Sequence, residues 1–217
     1  MNPILKRIVA ALSTAAVVVL AIIYAPLSVI APAVCLLIVL GFAEYLLLLA
    51  RKFGTLAKCP WWTVVGLLTL ALLLALPLAA KWHGSLMMLY LIAIVKVSDM
   101  GGFALGVSTA WLMKGGNHKM CPTISPNKSW EGLLGSILAS VTVSCLFMPI
   151  THFAAGKSVL FGVVAALVGT FGDLVESKFK RWVGVKDSST FMPAGMGGFL
   201  DMLDSLLFAP AVLLSMI

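Results

Sequence analysis

Long uncharged runs dominate this chain, and their length constrains its fold more than any other feature. About seven segments meet the ~17–25-residue requirement of a membrane-spanning helix, some only just. They are Ile8–Tyr24, Leu27–Leu49, Trp61–Ala80, Leu86–Ser98, Leu133–Phe153, Val159–Glu176 and Phe199–Ile217. The fourth is short, and Phe103–Met113 reads as a further re-entrant or interfacial helix. With 61% hydrophobic and 11% charged residues, the composition excludes an ordinary soluble domain. The expected fold is therefore all-α, a polytopic transmembrane helix bundle of about seven spans. Trp61, Trp62, Trp82 and Trp130 stand at segment ends, where aromatic anchors meet the interface. Lys6–Ala25 carries a long apolar run without a convincing cleavage site, so it reads as a span and not a signal peptide.

Charge sets the expected orientation. The net charge is +7, yet no basic run is long enough for nucleic acid, and the cations lie between the apolar segments. An inside N-terminus puts Lys6, Arg7, Arg51, Lys52, Lys58, Lys114, Lys119, Lys128, Lys178, Lys180, Arg181 and Lys186 on the cytosolic side. Only Lys81 and Lys157 then fall outside, with Lys96 near the inner end of a helix. The positive-inside rule favours this arrangement, N-terminus in and C-terminus out.

The acids converge on the same face. Asp99 is expected at the inner end of the fourth segment, Glu131 at the start of the fifth, and Asp173 and Glu176 at the end of the sixth. Asp187 lies in the next loop, with Asp201 and Asp204 in the inner part of the seventh segment. Ionisable residues seldom face lipid, so a water-filled cavity open to the cytosol is expected. Glu44 alone stands apart and reads as structural. Cys35, Cys59, Cys121 and Cys145 form no C-x-x-C pair, so neither a zinc site nor a disulfide framework is indicated.

The densest chemistry lies between Ser177 and Asp204, where Lys178, Lys180, Arg181 and Lys186 meet Asp187, Asp201, Asp204 and a glycine-rich stretch. Asp201 and Asp204 are spaced to share a helix face, as are Asp173, Glu176 and Ser177. Carboxylates from two helices at one depth make a hard-cation site, and oxygen ligands beside phosphate favour Mg²⁺. The competing reading is structural ion pairing with Lys178, Lys180 and Arg181. Gly195, Gly197 and Gly198 precede the seventh segment, where free N–H groups can hold an anion. A second constellation runs from Ser125 to Gly132, after a polar loop with Gly115, Gly116, Asn117, His118 and Lys119. There Ser129 is suited to cap the fifth helix and Lys128 to reach a phosphate. Asp99, followed by Gly101 and Gly102, suits metal or nucleotide, or else an i,i+3 pair with Lys96.

These blocks resemble the phosphatidate cytidylyltransferases, or CDP-diacylglycerol synthases. Ser177, Lys180, Arg181, Lys186, Asp187, Ser189, Pro193, Gly197, Gly198, Asp201 and Asp204 fall on that family's signature. Upstream pieces match at Ser98–Gly101, Ser125–Gly132 and Gly172–Ser177, so the resemblance runs from Lys96 to the C-terminus. It implies N-terminal transmembrane helices over 1–80 and a catalytic transmembrane region over 81–217.

The reaction implied is CTP plus phosphatidic acid giving CDP-diacylglycerol and pyrophosphate, in a bacterial inner membrane with the active site facing the cytosol. On that resemblance Asp173, Asp201 and Asp204 would hold Mg²⁺, with K⁺ as a second cation. Lys180, Arg181 and Ser177 would hold phosphate, while Asp99, Lys128, Lys186, Asp187, Gly197 and Gly198 would bind substrate. A homodimer is a further expectation. Met196 and Met202 stand where the family has histidine and arginine, and Ala194 reads as an insertion, so those two roles do not carry over. The chain is also short at its N-terminus beside many relatives, by about two spans on the helix-length criterion. The alternatives are a CTP-dependent polyprenol or phytol kinase, and a membrane transporter.

Overall fold

The computed structural model describes residues 16–55, 60–113, 116–185, 188 and 198–217. Within them the protein is an all-α bundle with one small hairpin. Residues 16–24 are helical and lead into α1 (Leu27–Phe53). α2 (Pro60–Ala71) passes through a 3-10 turn, Leu72–Leu74, into α3 (Ala75–His83). The turn has a covalent cause: Pro77 lacks an N–H and its ring presses on the carbonyl four residues earlier, at Leu73. Gly84, at φ 89°, then permits the sharp reversal into α4 (Ser85–Leu112).

Four stretches are long and apolar enough to cross a membrane: Leu27–Phe53, Pro60–His83, Ser85–Leu112 and Ala155–Val183. α5 (Trp130–Leu146) is apolar but shorter, and a single turn, α6 (Met148–Thr151), joins it to α7 (Ala155–Val183). Leu36, Val39, Leu68 and Leu138 are all more than half exposed on these helices. Exposed apolar surface on that scale has lipid as its natural solvent, so this is an integral membrane protein.

Two sequence expectations differ from the structure. Phe103–Met113 is no separate helix, because Ser85–Leu112 continues unbroken through Gly101 and Gly102. The last segment is broken instead, into α8 (Phe199–Leu203), a 3-10 turn at Asp204–Leu206, and α9 (Ala209–Ser215). Pro210 again explains the break, since its ring displaces the carbonyl of Leu206.

The core lies where α1, α4, α7 and α9 meet. Leu48, Leu49, Tyr90, Leu91, Phe161 and Leu213 are fully buried there. Tyr90 satisfies its hydroxyl on Ser144 Oγ at 2.7 Å. Tyr45 of α1 stacks on Phe179 of α7 with ring centroids 4.5 Å apart. The Lys52 ammonium sits 3.8 Å over the Trp182 ring and donates to its carbonyl, fastening the end of α1 to the end of α7. Small residues let α4 and α5 approach closely: a Cβ at Gly135 would lie 2.5 Å from the Gly101 carbonyl oxygen. That approach carries Asp99 up to the polar hairpin.

Candidate active site

The hairpin pairs β1 (Lys119–Cys121) antiparallel with β2 (Ser125–Ser129), Lys119 lying opposite Ser129. Ser129 ends the strand and caps α5, its Oγ accepting the Gly132 N–H at 3.1 Å, as its sequence context predicts. Glu131 draws the preceding loop inward, accepting from the His118 N–H at 3.1 Å and meeting His118 Nδ1 at 2.7 Å. The His118 ring beside it, helped by backbone N–H groups, holds the Glu131 carboxyl low, at about 2. Asn117 Nδ2 completes the clasp by donating to the Gly106 carbonyl at 2.6 Å.

That clasp fixes Lys128. Its ammonium lies 2.5 Å from Asp173 Oδ2 and 3.4 Å from the Thr170 carbonyl, both on α7. Lys128 and Asp173 border a cavity of about 240 Å³ whose polar wall also includes Asp99, Ser125, Asn127 and Ser129. Asp204 approaches from another side. Gly172 permits this, since a Cβ there would lie 2.5 Å from the Asp204 carbonyl oxygen. Asp99, Asp173 and Asp204 thereby come within electrostatic reach of one another, and Lys96 and Lys128 are the cations that offset them. Lys96 stands 3.9 Å from Asp99 and spends its hydrogen bonds on the Met202 carbonyl and Ser205 Oγ.

A second cluster lies further along α7. Lys180 Nζ bridges Glu176 Oε2 and Asp201 Oδ1, each at 2.8 Å. The other Asp201 oxygen accepts the N–H groups of Gly198 at 2.9 Å and Ser188 at 3.3 Å. Asp201 is thus fully engaged as a helix cap and ion-pair partner.

The expected site residues divide accordingly. Asp99, Lys128 and Asp173 line the cavity and Asp204 interacts electrostatically with Asp99 and Asp173, whereas Glu176, Lys180 and Asp201 form their own cluster. Asp201 and Asp204 part company because the 3-10 turn begins at Asp204. Asp99 lies inside α4 and not at its end, since the helix runs on to Leu112. Gly198 donates its N–H to Asp201. Arg181 is exposed and joins no ion pair among the described residues, and Ser177 is half-buried. Lys186, Asp187, Gly195, Met196 and Gly197 lie outside the described residues. Met202, at the position where the resembled family's signature has arginine, is nearly half exposed.

The donors suit a hard cation in kind. They are carboxylate oxygens, and Asp173 Oδ1 is buried without a hydrogen-bond partner among the described residues. Asp99 and Asp204 are carboxylates that interact with Asp173 electrostatically. The three are not drawn together as a finished cage: among the described residues no three acidic, histidine or cysteine side chains gather closely enough to ligate one ion. Cys35, Cys121 and Cys145 are free thiols. Glu44, which reads as structural in the sequence, is fully buried and reaches the start of α8.

Comparison with known proteins adds an independent line. The profile of the cytidylyltransferase family matches residues 61–217. A phosphatidate cytidylyltransferase of Mycobacterium bovis is 42% identical over 121 residues, covering 54% of this chain and 36% of the relative. One from Staphylococcus aureus is 41% identical over 122 residues, covering 55% of this chain and 44% of the relative. An Escherichia coli protein named YnbB, described as uncharacterized, is 36% identical over 151 residues, 69% of this chain and 48% of its own length. The matched stretch is thus less than half of each of these relatives.

Proposed function

This chain belongs to the cytidylyltransferase family, and we propose that it transfers the cytidylyl group of CTP to phosphatidic acid, giving CDP-diacylglycerol and pyrophosphate. The Lys128–Asp173 pair carries the reading. It joins two separate sequence blocks on the wall of a cavity inside an apolar bundle, and supplies both a cation for phosphate and a carboxylate for a metal.

A phosphatidate oxygen attacks the α-phosphorus of CTP in line; that P–O bond forms as the bond to pyrophosphate breaks. The nucleophile is a phosphate monoester, largely ionised near neutral pH because its second pKa is ~6. No dedicated base is required, so the work is positioning and charge neutralisation. Lys128 binds and orients a phosphate group at the cavity. Lys180, held by Glu176 and Asp201, presents a second ammonium. Asp173, through its Oδ1, unpartnered among the described residues, is the residue that would hold Mg²⁺, which would neutralise phosphate charge and assist pyrophosphate departure. A K⁺ ion rests on the family resemblance alone.

The reading puts the N-terminus and the cavity on the cytosolic side of a bacterial inner membrane. The crowding of lysine and arginine in alternate loops supports that orientation. CTP then enters from water while phosphatidate arrives laterally in the inner leaflet.

The test is incorporation of label from CTP into lipid by the purified protein. Label at the α-position should reach the lipid. Label reaching it from the γ-position would indicate a lipid kinase. The mid-helix position of Asp99 suits a carrier, and a carrier would leave the lipid unlabelled by either.

A further inference from the structure

A carboxylate in a long apolar helix is costly unless something holds it. Glu44 sits in α1 between Ala43 and Tyr45 and is 0% exposed. Among the described residues no lysine, arginine or histidine pairs with it. Its Oε2 instead accepts the N–H of Leu200 at 3.0 Å. Leu200 is the second residue of α8, and the first amides of a helix have no acceptor within the helix itself. Asp201 takes the Gly198 amide and Glu44 takes the Leu200 amide, so two carboxylates complete the start of this helix.

Gly198 makes the approach feasible. A Cβ there would stand 2.5 and 2.9 Å from the two Glu44 carboxylate oxygens and would also strike Ser188 Oγ. Glu44 lies outside residues 61–217, the stretch that the family profile matches.

We propose that Glu44 is a positioning residue for the active site: from the first long span it fixes the start of Phe199–Leu203 and so holds Asp201 against Lys180. α8 has only five residues and cannot hold its own first turn. Without the Glu44 contact its N-terminus frays, Asp201 loses its bond to the Gly198 amide, and Lys180 is left to Glu176 alone. The kinetic part of this inference rests on the cytidylyltransferase reading; the structural part does not.

The experiment compares wild type, Glu44→Leu, Glu44→Gln and Gly198→Ala of the full chain in nanodiscs. Hydrogen exchange is followed over residues 198–206, together with kcat and KM for phosphatidate and CTP. Glu44→Leu should speed exchange at 199–203 and lower kcat by about tenfold or more, with KM for lipid little changed. Glu44→Gln keeps an acceptor oxygen and should recover most of both losses. Gly198→Ala displaces the carboxylate and should reproduce the Leu pattern, which decides the matter if Glu44→Leu fails to fold.

Adding Asp201→Asn to Glu44→Leu should cost much less than Asp201→Asn costs alone, because both act through one contact. Wild-type exchange at 199–203 in the Leu and Ala variants, or full additivity with Asp201→Asn, would overturn the proposal. A wild type inert toward CTP and phosphatidate would defeat the functional reading, while the exchange data would still decide the role of Glu44.

Discussion

Lys128 and Asp173 stand 45 residues apart in sequence and 2.5 Å apart in space, an ion pair joining the end of β2 to the middle of α7. The two side chains are mostly shielded from solvent, so the contact is more than a surface pair. Asp173→Asn keeps the size of the side chain and removes its charge. Turnover should fall by about a hundredfold or more, as loss of charge stabilisation does, with little loss of folded protein by size-exclusion chromatography. Near-wild-type turnover would remove Asp173 from the metal and phosphate machinery.

Lys180 is held between two carboxylates, Glu176 and Asp201. If Asp201 serves the reaction by aiming Lys180, then Asp201→Asn and Lys180→Met should each lower kcat, and the double variant should be little worse than the poorer single one. Independent effects that multiply would show that Asp201 acts apart from Lys180, for example as a metal ligand. The steady-state rates of the three variants settle this.

The crossing of α4 and α5 depends on small residues at Gly101 and Gly135. Gly135→Val would push a side chain into the Gly101 backbone, and overpacking of this kind costs about 1–3 kcal/mol. The thermal midpoint in detergent should drop. Activity measured well below that midpoint should also fall, because Asp99 rides on the same stretch of α4. An unchanged midpoint would mean that the helices separate at no cost.

Much of this architecture was readable from the residues. Ser129 was expected to cap the fifth helix and does so, because a serine before Trp130-Glu131 has a local, sequence-encoded partner in the Gly132 amide. Lys128 and Asp173 each stand out in the sequence as candidate site residues, but their pairing depends on a hairpin folding back onto a distant helix. The expected shared face of Asp201 and Asp204 assumed a continuous helix, and the 3-10 turn before Pro210 divides them. Glu44 was read as structural from its isolation; the amide it reaches, 156 residues away, leaves no trace in local sequence.

Orientation makes its own prediction. Lys119 lies on the exposed face of the hairpin, and Lys186 follows α7 in sequence, outside the described residues. Both should react with a membrane-impermeant amine reagent only from the cytosolic side. Labelling of either lysine from outside intact cells would contradict a cytosolic cavity.

The most direct measurement follows both products at once. Purified protein in nanodiscs is given CTP and phosphatidate with Mg²⁺, and phosphorus NMR quantifies lipid and soluble phosphates over time. The account predicts that CDP-diacylglycerol and pyrophosphate appear in equal amounts, that neither forms without phosphatidate, and that chelation of Mg²⁺ stops both. Release of CDP with a newly phosphorylated lipid, or no turnover of CTP at all, would contradict it.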